Sequence, residues 1–263
     1  MNEPLRADNL EKDRLERSRR VSWLDIEAVR SAKALVVGAG ALGNEVVKDL
    51  VLSGIGEITL IDMDHVARTN LNRCLFFRDG DAERRASKVE ALASRAQELD
   101  PGVRIRTFME RIEELEEAEY HRHGLAFGCL DNVAARLHLN SHAYHHGLPL
   151  IDGGTLGTLG KVQVVLPPST PCLQCAMNRT HFKVLERRFS CTGGDTNFYE
   201  PKLAAEITTT SVIGAIQVRE GLKLLSGQGD RCLNHVLYYN GLSNDIQEVE
   251  VEKDPECPLH QER

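Results

Sequence analysis

The stretch ALVVGAGALGNEVVKDLVLSGIGEITLID, residues 34–62, contains the pattern that decides the fold. Two apolar runs flank a segment with helical spacing, and the spacing GxGxxG lies between the first run and that segment. Such apolar runs are typical of strands that are buried on both faces of a sheet, and the glycines suit a tight turn from strand to helix. The stretch therefore predicts a βαβ unit on a parallel sheet.

The alternation continues outward from this unit through SKVEALASRAQELD, VRIRTF and LAFGCLDN. After residue 150, glycine and proline surround alternating strands, which predicts antiparallel structure, and ITTTSVIGAIQVREGLKLLSG predicts a helix. We therefore expect an α/β fold with a Rossmann-like, mostly parallel sheet, helices on both faces and antiparallel strands in the C-terminal half. The expected organisation is an N-terminal helical arm over residues 1–30 and a single domain over 31–263, with a glycine-rich lobe from about residue 152.

Composition narrows the classes of partner. The net charge of −7, with 27% charged residues, argues against nucleic acid or an anionic membrane as the main partner. No apolar stretch approaches the length of a membrane span, and the N-terminus has no signal-peptide pattern. Seven cysteines, an odd number, indicate reduced thiols rather than a disulfide framework. We expect a cytoplasmic protein.

The glycine loop predicts a nucleotide site. Gly38 and Gly40 permit close approach of a phosphate to the backbone, and Gly43 lets the helix pack on the strand. Asp62 ends the next strand, where a carboxylate can accept hydrogen bonds from ribose hydroxyls. The same geometry serves NAD, FAD and adenylating enzymes, so the loop alone leaves the nucleotide open.

The residues after the ribose acid favour ATP. A hydride-transfer enzyme has no need of Asn70, Asn72 and Arg73 at this position, whereas charge that develops on an attacked phosphate calls for such donors and cations. Lys88 adds a cation at the start of the following helix. Asp131, in CLDN at the end of another apolar strand, is a candidate magnesium ligand for a triphosphate. Any one of these residues alone could be an ordinary surface residue or ion-pair partner. The prediction of an ATP site depends on the order in which they occur together.

This order of GAGALG, DMDHVARTNLNR, SK and CLDN resembles the adenylation domain of ubiquitin-activating enzymes and of the sulfur-carrier adenylyltransferases of molybdopterin and thiamine synthesis. The resemblance runs from about residue 14 to the C-terminus. It implies an ATP- and Mg²⁺-dependent enzyme that adenylates the C-terminal glycine of a small ubiquitin-like protein. The positions that the resemblance gives to ATP are Gly38, Gly40, Gly43, Asp62, Asp64, Asn70, Arg73 and Lys88, and Asp131 resembles the magnesium-associated aspartate.

The resemblance also implies a homodimer. In RLERS, Arg17 resembles a family arginine that reaches the ATP of the partner subunit, and Arg14 is the alternative.

A second set of residues suits a structural zinc ion. Cys172 and Cys175 form CLQC, and Cys257 is followed by His260 in CPLH. Two such pairs have the ligand types and local spacing of a tetrahedral zinc site. Relatives usually have CxxC in both places, and the alternative is two unrelated buried pairs.

Cys191 lies in a different setting, the polar glycine-rich segment FSCTGGD. A thiolate in an exposed loop can attack an acyl-adenylate, and the CT pair resembles the catalytic cysteine motif of the activating enzymes. The expected second step is a thioester on Cys191 and transfer to a conjugating enzyme. The alternatives are a sulfur-carrier adenylyltransferase, a loop cysteine without a role, a catalytically silent scaffold, an NAD-dependent oxidoreductase and a tRNA-modifying dehydratase.

Two remaining features have ordinary explanations. The segment MERIEELEEAEYHRHG predicts a solvated helix face. His121, His123, His145 and His146 are expected to be surface or hydrogen-bonding histidines rather than metal ligands.

Overall fold

The computed structural model describes residues 14–177 and 204–260. Within these ranges, eight strands form one sheet in the order β3-β2-β1-β4-β5-β6-β7-β8. The strands are β1 Lys33–Val37, β2 Glu57–Ile61, β3 Arg104–Phe108, β4 Leu125–Gly128, β5 Leu150–Leu156, β6 Leu159–Val165, β7 Val236–Asn240 and β8 Asp245–Val249.

The sheet changes from parallel to antiparallel at β5. Strands β3, β2, β1, β4 and β5 pair in parallel, and Val37 lies opposite both Ile61 and Gly128. From β5 onward, each strand pairs antiparallel with the next. The predicted fold class is therefore confirmed, and the C-terminal strands extend the same sheet.

Helices cover both faces of this sheet. The helices of the described chain are α1 Ile26–Ser31, α2 Ala41–Leu52, α3 Asp79–Glu83, α4 Lys88–Leu99, α5 Glu117–Arg122, α6 Val133–His145 and α7 Ile207–Leu225. Successive residues of a strand point to opposite faces. In β1, Val36 belongs to the core cluster that includes Val46 of α2, and Leu35 belongs to the cluster that includes Leu139 of α6.

The acidic segment after β3 differs from the predicted helix face. A 3-10 turn, Ile112–Glu114, comes first, and the short helix α5 follows. Glu119 of α5 is buried and accepts two hydrogen bonds from Arg106 of β3, at 2.7 and 2.9 Å. The four glutamates from Glu113 to Glu117 are exposed as predicted, and Glu119 is the exception because a tertiary ion pair holds it.

The N-terminal part of the described chain lies against the amino edge of the parallel strands. Leu15 is buried and packs over Gly54, which precedes β2. Arg14 donates to the carbonyl of Leu99 at 2.8 Å and pairs with Asp100 at 3.0 Å, shortly before β3. Within the described residues, no helix has the length and apolar character needed to cross a membrane.

Candidate functional site

The glycine loop joins β1 to α2 in the way that its three glycines require. Gly38 has a φ of +103°, and a Cβ there would lie 2.4 Å from the carbonyl oxygen of Cys129. A Cβ on Gly43 would lie 1.9 Å from the Gly38 oxygen. Around Gly40, the N-cap of α2, a Cβ would meet nothing within 4 Å. The loop is closed on the protein side and open where a phosphate would approach the positive end of the helix.

Asn44 ties this loop to the segment that contains the predicted phosphate ligands. The side chain is fully buried, and its amide nitrogen donates to the carbonyls of Ala39 at 3.0 Å and Gly40 at 2.9 Å. Its Oδ1 accepts a hydrogen bond from the backbone N–H of Phe76 at 2.9 Å. We did not predict this residue from the sequence. A polar amide inside the apolar α2 segment was the available signal.

Asp62, Asp64 and Lys88 meet at the carboxyl edge of the sheet. Asp62 accepts hydrogen bonds from the backbone N–H of Ala39 at 2.7 Å and of Asp64 at 2.8 Å. Lys88 Nζ lies 2.7 Å from Asp64 Oδ2 and 3.9 Å from Asp62 Oδ1. The side chains of Lys88 and Asp62 are 11% and 12% exposed, so this pair is largely shielded from water.

Burial and charge act against each other in this pair. Burial raises the pKa of Asp62 above its ordinary value, although Lys88 and the two backbone N–H groups oppose the shift. Burial alone would lower the pKa of Lys88, but the carboxylates of Asp62, Asp64 and Asp131 outweigh it and raise that pKa. Lys88 is thus a fixed cation at neutral pH, as a phosphate-binding lysine must be.

Asn70 and Arg73 lie in and just after a 3-10 turn, Arg68–Asn70. Asn70 Oδ1 accepts a hydrogen bond from the N–H of Ala67 at 2.9 Å. Arg73 donates to the Thr69 carbonyl and, at 3.0 Å, to Asn72 Oδ1. Both side chains are half-buried and make local bonds, and the described structure shows neither in contact with Lys88.

Asp131 follows β4 at the same edge. Its carboxylate is exposed, and its charge helps to raise the pKa of Lys88, so it lies on the side of the site where solvent enters. The next residue, Asn132, caps α6 by accepting a hydrogen bond from the N–H of Ala135 at 2.8 Å. The cap holds the chain beside Asp131 in place. An exposed carboxylate here suits the hard oxygen ligation of Mg²⁺.

A group of buried charges beyond Asp131 was not predicted. Asp152 of β5 is 1% exposed and accepts a hydrogen bond from Arg136 of α6 at 2.5 Å, and Arg136 also donates to the Leu130 carbonyl. Lys161 of β6 is opposite Gly154 in the sheet and lies close to Asp152. Burial lowers the pKa of Lys161, and the negative charge of Asp152 partly offsets this effect. The only available signals were single charges in otherwise apolar or glycine-rich strands.

The four predicted zinc ligands form a compact cluster. One ligand atom from each of Cys172, Cys175, Cys257 and His260 lies within 4.8 Å of all the others. The sulfur of Cys172 is 3.8 Å from that of Cys175 and 3.7 Å from that of Cys257. Zinc–sulfur bonds of about 2.3 Å at tetrahedral angles separate two sulfurs by about 3.8 Å, so the thiols fit a zinc ion.

His260 fits the fourth position through one ring nitrogen. Its Nε2 is 3.7 Å from the Cys175 sulfur, and its Nδ1 is 3.2 Å from the carbonyl oxygen of Asp254. A hydrogen bond from one ring nitrogen to a backbone carbonyl is the usual support for a histidine that binds metal through the other. Burial raises the pKa values of the Cys172 and Cys175 thiols, which favours the protonated form unless a cation is bound.

One predicted residue, Arg17, lies apart from the site. Cys191 is outside the described residues. Arg17 is exposed and belongs to the N-terminal part of the chain that lies along the amino edge of the parallel strands. The predicted ribose and phosphate residues lie at the opposite, carboxyl edge.

The comparison with protein families identifies the chain. The model of the ThiF family matches residues 14–259. The chain belongs to the ThiF family. Membership confirms the resemblance stated above and, at the level of the family, the expectation of an ATP-dependent adenylating enzyme.

Two curated relatives represent the two branches of this family. The molybdopterin-synthase adenylyltransferase of Escherichia coli K12 is 27% identical over 235 residues, which cover 89% of this ThiF-family chain and 88% of the relative. The NEDD8-activating enzyme E1 catalytic subunit of Arabidopsis thaliana is 38% identical over 158 residues. That match covers 55% of this chain and 34% of the relative, so the chain spans about a third of that protein's length.

Solved structures support the fold of this ThiF-family chain. A structure described as E. coli MccB with ATP has a TM-score of 0.72 at 21% identity, and covers 89% of this chain and 68% of that one. MccB described as a microcin C7 biosynthetic enzyme in complex with N-formylated MccA has a TM-score of 0.73 at 19% identity, with 90% and 69% covered. At these identities the likeness extends to the fold alone.

Proposed function

We propose that this protein uses MgATP to adenylate the C-terminal glycine of a small ubiquitin-like protein. The observation that carries the proposal is the buried Lys88, held by Asp62 and Asp64 beside an open glycine loop. A shielded cation at the carboxyl edge, beside an open glycine loop, suits the charge of a triphosphate. The names of the two curated relatives, an activating enzyme and an adenylyltransferase, support the same reaction.

The first step joins a carboxylate to the α-phosphate. A carboxylate oxygen of the protein substrate attacks the α-phosphorus of ATP, the bond to the β-phosphate breaks, and pyrophosphate leaves with its electron pair. Asp62 binds the ribose hydroxyls, and Asn70, Arg73 and Lys88 bind the phosphates. Mg²⁺, held by Asp131, would neutralise part of the triphosphate charge. The acceleration comes from positioning and charge stabilisation, with no protein nucleophile in this step.

The incoming carboxylate approaches over the charges around Asp152, where β5 lies beside the end of β4. Two basic groups, Arg136 and Lys161, lie beside the single carboxylate of Asp152, so basic groups outnumber acidic ones here. The lack of side chains at Gly153 and Gly154 makes room for the side chains of Gln217 and Arg136, which would lie 2.2 and 3.0 Å from a Cβ at these two positions. This arrangement would attract a C-terminal carboxylate toward the nucleotide.

The position of Arg17 supports a homodimer. Neighbouring Arg14 is bound near the amino edge of the parallel strands, and a five-residue strand such as β1 spans about 16 Å to the opposite edge. This separation favours a contact of Arg17 with the nucleotide of a second subunit. Its guanidinium has no carboxylate or carbonyl partner among the described residues, which suits a role in a second subunit.

Zinc in the Cys172 cluster would be structural and would take no part in the reaction.

Two candidates remain for the second step. In the first, the thiolate of Cys191 attacks the acyl carbon, AMP leaves, and the thioester passes to a conjugating enzyme. In the second, a sulfur donor attacks the adenylate, as the near-complete overlap with the E. coli molybdopterin-synthase adenylyltransferase suggests. The higher identity to the NEDD8-activating subunit supports the first, over a shorter stretch. A cytoplasmic location stays a prediction.

ATP–pyrophosphate exchange tests the first step. Purified protein is assayed with a panel of small ubiquitin-like and sulfur-carrier proteins that end in glycine. Exchange should require one panel member, and Lys88→Ala and Arg73→Ala should each reduce it by about 10²-fold or more. Arg111→Ala is the control, because this exposed arginine pairs only with Glu113 at the surface among the described residues. Exchange that persists in Lys88→Ala and Arg73→Ala would refute the assignment of the phosphate ligands.

Cys191→Ala then separates the two second steps. The variant should retain exchange but lose a conjugate that thiols can cleave. An undiminished, reducible conjugate in this variant would exclude the thioester on Cys191. Normal sulfur transfer to the carrier in the same variant would establish the sulfur-carrier branch.

A further inference from the structure

A group of histidines crosses the surface where α5 packs against the C-terminal half of α6. His138 and His142 lie four residues apart on one face of α6, and His146, the C-cap of this helix, follows at the same interval. The rings of His138 and His142 stack with centroids 4.3 Å apart. From α5, the ring of Tyr120 stacks on His142 at 5.2 Å and on His146 at 5.5 Å. The aromatic ring forms a rigid, apolar wall behind the two imidazoles.

Glu117 completes a set of metal-ligating atoms with two of these histidines. One ligand atom from each of Glu117, His142 and His146 lies within 4.8 Å of the other two. The two histidines are half-buried, and Glu117 at the start of α5 is exposed, so an ion could enter from solvent on the carboxylate side. Two imidazoles and one carboxylate are a common ligand set for zinc and similar divalent ions, with a further position left for water.

An independent observation also points to a ligand here. His146 Nε2 is buried and has no hydrogen-bond partner in the described chain. An unsatisfied buried polar atom destabilises a fold, and proteins seldom leave one without a reason. His121 and His145 contact the His146 ring edge-on, at 4.5 and 5.0 Å between centroids, but neither satisfies this nitrogen. A metal ion bound by this nitrogen would take the place of the missing hydrogen-bond partner.

We propose that Glu117, His142 and His146 bind a divalent transition-metal ion, with Zn²⁺ the best chemical match. The sequence interpretation of His146 as an ordinary surface or hydrogen-bonding histidine is thereby revised. The ion would link α5 to α6. Because α6 has 13 residues and extends about 20 Å, the ion would lie far from Asp131 at the other end of the helix. The site is therefore separate from the adenylation chemistry.

The proposed site can be distinguished from the Cys172 cluster by its chemistry. Cobalt(II) bound by thiolates gives an intense sulfur-to-metal charge-transfer band, whereas cobalt bound only by nitrogen and oxygen gives weak bands without it. Titration of the full-length, metal-stripped protein with Co²⁺ should show two classes of site. The first equivalent should produce the charge-transfer band, and the second should bind without increasing it.

Single substitutions assign the second equivalent. His142→Gln and His146→Gln should each weaken it by about ten-fold or more, since loss of even a supporting residue typically costs a metal site that much. Both should leave the charge-transfer band unchanged, which shows that the protein is folded. His121→Gln is the matched control, because this ring touches His146 but is not in the ligand set, and it should bind like wild type. A second equivalent that is absent from the wild type, or that survives both substitutions, would overturn the proposal.

Discussion

Replacement of Lys88 by methionine should destabilise the protein by about 3–5 kcal/mol at neutral pH. The substitution keeps the length of the side chain but removes the cation that lies 3.9 Å from Asp62 Oδ1. With an effective dielectric constant of about 20, Coulomb's law gives about 4 kcal/mol for unit charges at this distance. Loss of one partner from a shielded ion pair also leaves an uncompensated charge, which typically costs about 3–5 kcal/mol. Asp64 is 55% exposed, so its pair with Lys88 adds little.

The pH dependence of this loss gives a sharper test than its size. Burial already raises the pKa of Asp62, and removal of Lys88 should raise it further. A carboxyl group whose pKa is raised by folding disfavours the folded state most above that raised pKa, and the penalty fades as pH falls and the group is protonated. The gap between Lys88→Met and wild type should therefore be large at about pH 8 and narrow toward about pH 4. Lys88 itself stays charged in the wild type across this range, since its pKa is raised.

Urea unfolding followed by circular dichroism measures both effects. Asp62→Asn supplies the matched background, because it removes the carboxylate charge with little change in shape. In that background, Lys88→Met should cost far less than in the wild type, and the difference is the coupling energy of the pair. A cost below about 1 kcal/mol at about pH 8, or an equal cost at every pH and in both backgrounds, would refute this account of the buried pair.

Three further predictions concern the glycine loop, the zinc cluster and the carboxylate approach. Gly43→Ala should lower the melting temperature by several degrees, because its Cβ would lie 1.9 Å from a carbonyl oxygen. Gly40→Ala should melt like wild type and lose ATP affinity in equilibrium binding. Equal melting temperatures for the wild type and both variants would contradict this prediction. Cys257→Ser should lose zinc in elemental analysis and melt earlier, and retention of one tightly bound zinc would contradict the ligand assignment. Lys161→Met should raise the KM for the protein substrate about ten-fold without changing the KM for ATP; an equal change in both would place Lys161 elsewhere.

Features that are local in sequence could be predicted well. The strand β1, the glycine loop and α2 are contiguous, and their pattern reflects a backbone turn that few other residues could form. The positive φ of Gly38 and the contact of Gly43 with the Gly38 oxygen are direct consequences of the GxGxxG spacing. Asp62 was predictable for the same reason, since it ends the next strand of the same βαβ unit.

Features that depend on packing between distant segments were missed. The side chain of Asn44 forms hydrogen bonds with both Gly40 and Phe76. No pattern in the sequence around residue 76 indicates a hydrogen bond to α2. The ion pair of Arg136 with Asp152 joins a helix to a strand, and it is recognisable only once both are placed beside β4. The zinc ligands are also distant, at residues 172–175 and 257–260, but cysteine and histidine restrict the chemistry so strongly that spacing within each pair was informative.

The helix α6 connects these separately predicted features. Its N-terminus is capped beside Asp131, and Arg136 in its second turn binds Asp152. Farther along, Asn140 accepts a hydrogen bond from the N–H of Leu173, between the two cysteines of CLQC, at 2.9 Å. The last turn carries the proposed histidine ligands on another face. Since a helix is stiff over 13 residues, displacement of the cysteine cluster would be transmitted to the Asn132 cap beside Asp131. A metal ion that takes no part in the chemistry would thus still affect the nucleotide site by fixing the helix that borders it.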